Sequence, residues 1–384
     1  MKIGITTCWQ SSDNYGQQLQ CWALQRYLEH NGHEPFLIRY SPVGARVGLV
    51  RRVWNALKYR MYTPKDEIRR TRENAVLYRE NAALDKQRMF EAFRSQHLRS
   101  TPVIYHSVEE LRAQPPEADA YITGSDQVWH DAYDNPNIAG WFLDFGNNKV
   151  KRISYAASIG RELSADDRQK LYGYLQRFDH ISVREESTLE LCRLLGVEKA
   201  SMAIDPTLLL DVSDYEAIET DNGKGDTSPY AFVYLINVQD EKDAYLDIIS
   251  QTLEKQGMEM KVVASSGYLP ARPCVCGQPI IRATIPEWLS LVKNANVVLT
   301  TSFHGVVFSL LYHKPFYAIL LADEFAKAND RIFTLLNRLG LSHRIIGSVQ
   351  DAELLSQEPI AWDEVDRRLD EYRQQSIKFL TEAL

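Results

Sequence analysis

Thr300-Thr301-Ser302-Phe303-His304-Gly305 is the stretch of this 384-residue chain best equipped to do chemistry. It gathers hydroxyls, an aromatic ring, an imidazole and a glycine. The apolar run Val297-Val298-Leu299 before it reads as a buried parallel strand. After it, Val306, Leu310 and Leu311 recur at helical spacing until Lys314-Pro315 stops a helix. His304 therefore stands in a turn at the carboxyl end of a strand, where open α/β sheets bind ligands. A helix beginning at Gly305 would add free backbone N–H groups for an anion. Histidine exchanges protons near neutral pH, so one reading is acid–base chemistry on a negatively charged small molecule. The other is a histidine that caps or packs under the helix.

More polar clusters follow strand-like runs. Ser11-Ser12-Asp13-Asn14-Tyr15-Gly16-Gln17-Gln18 lies between a strand at 3–7 and a helix striped by Leu19, Ala23, Leu24 and Leu28. It occupies the place of a Rossmann phosphate loop but has no G-x-G-x-x-G, so no dinucleotide is expected. Asn14 and Tyr15 are either hydrogen-bonding and stacking groups for a sugar, or a helix cap and a packed tyrosine. Gly124-Ser125-Asp126-Gln127-Val128-Trp129 follows a buried run at 118–123, and Ser158-Ile159-Gly160 follows one at 152–157. The strand at 181–184 ends in Arg184-Glu185-Glu186-Ser187. An arginine beside a helix start is a natural anion ligand; the alternative is a structural salt bridge with Glu185 or Glu186.

These ends require elements to hold them. Ser164 is a good N-cap for a helix reaching Phe178, Gly196 closes the helix after Arg184, and a further strand is expected at 35–40. Residues 221–229, rich in Gly, Asp and Ser, read as a domain boundary. Beyond it the alternation restarts, with strands at 231–236, 260–264, 297–300 and 316–321 and helices between and after them. Residues 362–384 read as an amphipathic terminal helix. The pattern predicts an α/β protein of two Rossmann-like doubly wound domains, 1–220 and 221–360, facing a cleft, with 361–384 packing back on the first. One shared site would then receive the Asn14-Tyr15 loop, the Gly-Ser-Asp-Gln loop, Arg184 and His304.

Composition is that of an ordinary globular chain, 45% hydrophobic and 25% charged, with a net charge of −7. That balance gives no push toward nucleic acid. No run approaches the roughly 18 apolar residues of a membrane span, and the amino terminus lacks the apolar core of a signal peptide. Five dispersed cysteines suit a reduced, cytoplasmic protein. Cys274-Val275-Cys276 has no second pair or nearby histidine to complete a zinc site and reads as two strand thiols on one face. No carboxylates have metal-binding spacing, so no metal is expected. Between 46 and 73, nine basic residues (Arg46, Arg51, Arg52, Lys58, Arg60, Lys65, Arg69, Arg70, Arg72) face three acids (Asp66, Glu67, Glu73). Val50, Val53, Trp54, Leu57 and Met61 share one helical face there. This basic amphipathic helix either makes peripheral contact with an anionic membrane or acidic partner, or packs on its own domain.

Several of these motifs occur together and in order. They are Asn14-Tyr15-Gly16 with Leu19-Gln20 and Ala23-Leu24, Gly124-Ser125-Asp126-Gln127-Val128-Trp129, Tyr155-Ala156-Ala157-Ser158, Ser182-Val183-Arg184-Glu185, Asp205-Pro206-Thr207-Leu208-Leu209 and Ser302-Phe303-His304-Gly305. The set resembles the polysaccharide pyruvyl transferase family over about residues 3–345. The resemblance implies a glycosyltransferase-B-like architecture and transfer of pyruvate from phosphoenolpyruvate to two hydroxyls of a glycan sugar. The products would be a cyclic ketal and phosphate, in the biosynthesis of capsules, exopolysaccharides or cell-wall polymers. Phosphoenolpyruvate is then a substrate and no separate cofactor is implied. The acceptor would be a glycan or lipid-linked oligosaccharide at the inner face of the plasma membrane.

By the family's motif, His304 and Arg184 belong to the donor site. Ser302 departs from it, because some members carry an arginine there. Arg331 is the nearest replacement cation in the sequence, unless it is spent on an ion pair with Asp330. The expected roles are His304 as acid and Asp126 as base for the acceptor hydroxyl. Arg184, Arg331, Ser302 and Gly305 would hold the donor; Asn14, Tyr15, Ser125, Gln127 and Trp129 the acceptor. Two rivals share the architecture: a nucleotide-sugar-dependent glycosyltransferase, for which no clear ribose-binding carboxylate is found, and a non-catalytic glycan-binding protein.

Overall fold

The computed structural model describes residues 1–42, 76, 80, 83–219, 228–238, 241–265, 274–355 and 359–384. The basic helix expected at 46–73 and the 221–227 part of the expected boundary lie outside the described residues. Strands β1 (Lys2–Thr6), β2 (Glu34–Leu37), β3 (Ala120–Thr123), β4 (Lys151–Ala157), β5 (His180–Val183) and β6 (Ala200–Met202) form one sheet in the order 2-1-3-4-5-6. A second sheet uses β7 (Tyr230–Leu235), β8 (Glu259–Ala264), β11 (Val297–Thr300), β12 (Phe316–Ile319) and β13 (Ile345–Ile346) in the order 13-12-11-7-8. Between β8 and β11 in sequence, β9 (Cys274–Val275) and β10 (Gln278–Pro279) make a small antiparallel hairpin. Both large sheets are parallel throughout. Each is doubly wound, as the strand–helix alternation predicts, because helices cover both faces and the strands can be apolar on both. Every residue of β3, β7, β11 and β12 is buried.

Register brings the polar loops together. Thr6 pairs with Thr123 and Thr123 with Ser154, so the loops after β1, β3 and β4 leave the sheet side by side. In the other sheet Thr300 pairs with Tyr234. Ser164 caps the helix Ala165–Leu175 by accepting from the Asp167 N–H. The long helix Trp362–Ala383 touches both halves. Ser376 Oγ accepts from the Ile204 N–H and Arg373 donates to the Leu208 carbonyl, while Trp362 stacks on His313.

Three local expectations are corrected. The helix after β11 spans Phe303–Leu311, not from Gly305; Thr300 Oγ1 accepts the Ser302 N–H and closes the turn early, leaving Ser302 as N-cap. Strand β2 stops at Leu37 rather than 40, where the chain turns to accept from Thr101 and to make a lone bridge from Tyr40 to Tyr105. Cys276 is not a strand residue: it sits in the hairpin turn at φ 44°, so it does not share a strand face with Cys274.

Candidate active site

The two sheets meet through a set of buried charged residues drawn from five strand ends or helix starts. Arg184 follows β5 and is 3% exposed. Its Nη1 donates to Asp205 Oδ2 at 2.7 Å, its Nε donates to Glu185 Oε1 at 3.1 Å, and its Nη2 stands 3.5 Å from Asp126 Oδ1. Arg331, at the start of the helix Asp330–Leu339, brings Nη1 to 3.8 Å from the same Asp126 oxygen. His304 Nε2 is 3.6 Å from Asp205 Oδ2, longer than a hydrogen bond. Carboxylates thus alternate with basic side chains in a row: Arg331, Asp126, Arg184, Asp205, His304. Both guanidiniums lie over the Phe303 ring, at 4.9 and 5.9 Å from its centroid, a cation–π seat that a desolvated site strengthens.

Local geometry explains how each group gets there. Asp126 has φ 72°, a left-handed conformation that aspartate tolerates better than most residues; its backbone carbonyl accepts from Val128 and Ser158. Asp205 is held by the Thr207 N–H and hydroxyl at 3.1 and 2.7 Å and by Ser125 Oγ at 3.1 Å. Burial alone would raise its pKa, but His304, Arg184 and Thr207 outweigh that and hold the carboxyl well below the usual range. Arg184 is driven the other way: burial disfavours its charge, yet Glu185, Asp205 and Asp126 keep it firmly protonated. The Arg331 pKa is lowered, first by burial and then by Arg184. The His304 ring is fixed from the opposite domain, because a Cβ on Gly16 would come within 2.0 Å of its Nδ1. Gly305 is demanded on the other side, where a Cβ would meet Thr300 Oγ1 at 2.3 Å.

Three nitrogens in this cluster have no hydrogen-bond partner: the donors Arg184 Nη2 and Arg331 Nε, and His304 Nε2. Leaving a buried donor unsatisfied costs about 1–3 kcal/mol each, more when charged. Three such groups side by side are the shape of a site for an oxygen-rich anion. The backbone N–H groups of the first turn after Ser302, which a helix leaves unpaired internally, border the same place.

The remaining expected site residues divide. Gln127 lines a cavity beside Arg331. Ser302, 1% exposed, caps the helix backbone without a side-chain cap bond. Asn14 caps the helix Tyr15–His30 by accepting from Gln17. Tyr15 is wholly buried, stacked on Trp288 at 5.3 Å with its hydroxyl donating to the Ala283 carbonyl; this is the packed tyrosine of the second reading, not a stacking platform for a sugar. Trp129 is likewise buried against Phe142, and Ser125 braces Asp205 from inside the protein. Neither presents itself to an acceptor. Glu186, the other acid offered to Arg184, is exposed and faces Arg193 instead. Asp330 pairs with Lys327, which leaves Arg331 to the cluster.

Asp205 and Glu185 are the residues that sequence reasoning left without a role of their own. The signal for Asp205 was available: an acid directly after the apolar Ala203-Ile204 and before Pro206 is a charge in a buried run. Away from the cleft, Cys276 Sγ lies 3.7 Å from Asp247 and 3.9 Å from Glu241, a grouping of three potential metal-ligating atoms that linear spacing did not reveal. Burial and the two acids push that thiol up to about 12, so it stays protonated and hydrogen-bonds to the acids. Among the described residues no helix is long and apolar enough to cross a membrane.

A family model described as polysaccharide pyruvyl transferase matches residues 14–322. No curated protein sequence matches the chain. Among solved structures, the chain is similar to UDP-N-acetylglucosamine 2-epimerase from Rickettsia bellii, with 9% identity and a TM-score of 0.57 over 100% of this chain and 96% of that one. It is also similar to UDP-GlcNAc 2-epimerase of Methanocaldococcus jannaschii in complex with UDP-GlcNAc and UDP, with 13% identity and a TM-score of 0.51 over 100% of both chains. At such identities the likeness establishes the fold alone, two facing α/β domains of the glycosyltransferase-B kind.

Proposed function

The chain belongs to the polysaccharide pyruvyl transferase family, and from that premise we propose that it moves pyruvate from phosphoenolpyruvate onto two hydroxyls of a glycan sugar as a cyclic ketal, releasing phosphate. The observation that carries this reading is the trio of buried unpartnered donors, Arg184 Nη2, Arg331 Nε and His304 Nε2. Phosphoenolpyruvate offers a carboxylate and a phosphate, the acceptor oxygens that such donors lack. Arg331 supplies the cation that Ser302 does not, since it shares the Phe303 ring with Arg184.

In this reading His304 gives a proton to the methylene carbon of the donor, which turns C2 electrophilic. One acceptor hydroxyl adds to C2, phosphate leaves, and the second hydroxyl closes the ketal. The two hydroxyl protons balance the proton taken by the methyl group and the one carried off by phosphate. Asp205 keeps the imidazole and Arg184 oriented while remaining ionised. The basic charge at 46–73 supports recruitment to an anionic membrane face, where a lipid-linked acceptor would be found; flotation with anionic liposomes, lost on neutralising Arg51 and Arg52, is the expected result.

Calorimetry with phosphoenolpyruvate, followed by acceptor-dependent phosphate release, tests the central reading. Binding by the wild type that falls at least tenfold in Arg184→Met and Arg331→Met is expected. UDP release from a UDP-sugar in place of phosphate would overturn it in favour of a glycosyltransferase. Glycan binding with turnover of neither donor would leave a binding protein.

A further inference from the structure

A cavity of about 260 Å³ opens beside the donor cluster, between the loops after β3, β4 and β5 and the start of the helix Asp330–Leu339. Two of its wall residues outside the donor trio are more than nine-tenths buried and hold a polar atom without a hydrogen-bond partner: Ser158 Oγ and Glu185 Oε2. Buried orphans of both kinds, donor and acceptor, mark a place where a ligand completes the bonding. Its wall carries four basic and four acidic side chains, so the cavity has no preference for an anion, unlike the adjoining donor cluster. What fits is a neutral molecule whose groups both donate and accept. Leu191 and Leu194 add aliphatic surface at its edge, and Leu194 is 80% exposed. Polar bonding in the plane of a ring with apolar contact on its face is how sugar hydroxyls and C–H groups divide. The volume lies just under the roughly 300 Å³ at which drug-sized pockets begin, room for one pyranose ring.

We propose that this cavity is the subsite for the terminal sugar of the acceptor, and that Glu185 takes the proton of the hydroxyl that adds to the donor. Glu185 is suited by position: it lines the cavity, its Oε1 is held by Arg184 Nε at 3.1 Å, and its buried Oε2 has no hydrogen-bond partner. Asp126, the acid expected to act as base from sequence, does not line the cavity and sits between Arg184 and Arg331. The step balances simply. The hydroxyl O–H bond breaks as its oxygen bonds to C2 of the pyruvyl group, and the proton passes to Glu185 Oε2 and then to the departing phosphate. The catalytic part rests on the proposed function; the binding part does not.

The test therefore has two arms. In the first, methyl hexopyranosides of several configurations are offered to the full chain without donor, and binding is read by ligand-observed NMR. Ser187 lines the cavity and is none of the charged residues of the donor cluster, so Ser187→Trp fills the space and leaves the charged side chains present. Binding of at least one glycoside, weakened tenfold or more in Ser187→Trp, is expected. No binding by any glycoside, or binding that Ser187→Trp leaves intact, overturns the subsite. In the second arm Glu185→Gln is compared with wild type for phosphate release. Turnover lower by about a hundredfold or more, with glycoside binding retained by the folded variant, is expected; near-wild-type turnover removes the base. Failure of the wild type to use phosphoenolpyruvate, with glycoside binding intact, would refute the donor reading and the base together while leaving the subsite standing.

Discussion

Two buried arginine–aromatic clusters join the halves of this molecule, and they are finished to different degrees. In the first, Arg88 is bonded at every nitrogen: to Asp85 at 2.9 Å, to the Tyr15 hydroxyl at 2.6 Å and to the Ala264 carbonyl at 2.7 Å. Tyr15 stacks on Trp288 and donates onward to Ala283. In the second, Arg184, Arg331 and His304 are as deeply buried, yet each keeps a nitrogen without a partner. Burial and aromatic packing are common to both, so neither distinguishes a site from a joint. Completeness of hydrogen bonding does. The joint spends its polar groups on the protein, while the candidate site leaves one on each of three side chains unspent, at a cost in stability that the rest of the fold offsets.

The comparison predicts opposite responses to mutation. The largest is expected at His304→Ala. Turnover should fall by about 10²–10⁴ if the imidazole is the proton donor, and the urea midpoint should drop by less than in Arg88→Met because an unsatisfied group leaves with the ring. Near-normal turnover would erase the distinction. Arg88→Met should do the reverse. Removing one partner from a buried charged network costs about 3–5 kcal/mol, so the midpoint should drop sharply. An Arg88→Met protein as stable as wild type would show that the joint is not a joint. Tyr15→Phe is gentler: losing a hydroxyl that accepts from Arg88 and donates to Ala283 should cost about 1–3 kcal/mol, measured in the same denaturant series.

The smallest effect separates the clusters by pH. Asp205 has a depressed native pKa, so its ionisation stabilises the fold above the unfolded value of about 3.9. That contribution disappears as pH falls through the native pKa. From about pH 5 downward, wild type should progressively lose stability that Asp205→Asn has already lost, and the two unfolding midpoints should draw together. Parallel curves over that range would remove Asp205 as the ionised anchor of Arg184 and His304.

Much of the frame was legible in the chain. Apolar β-branched runs such as Val297-Val298-Leu299 announce buried parallel strands, and the polar residue after each one marks the sheet edge where ligands bind. Ser164, Gly196 and the terminal amphipathic helix follow from capping and periodicity. The candidate site was legible where a side chain's position is set by its own strand end, as for Arg184 and His304. It was not legible where the role depends on what arrives from elsewhere. Tyr15 looks like a sugar platform until Trp288 and Arg88 close over it, and Trp129 until Phe142 stacks against it. Glu185 looks like a mere salt-bridge partner until the cavity it lines and its unpartnered second oxygen are seen. The start of the Phe303 helix was missed by two residues because the Thr300 side chain, not a capping hydroxyl at Ser302, closes the turn.

The most direct measurement is the mass of a glycan acceptor after incubation with phosphoenolpyruvate and the wild-type chain. The account predicts a gain of one pyruvyl ketal per acceptor with one phosphate released, absent in His304→Ala. An unchanged acceptor mass, with phosphoenolpyruvate recovered intact and a glycosylated product formed from a UDP-sugar instead, would contradict it.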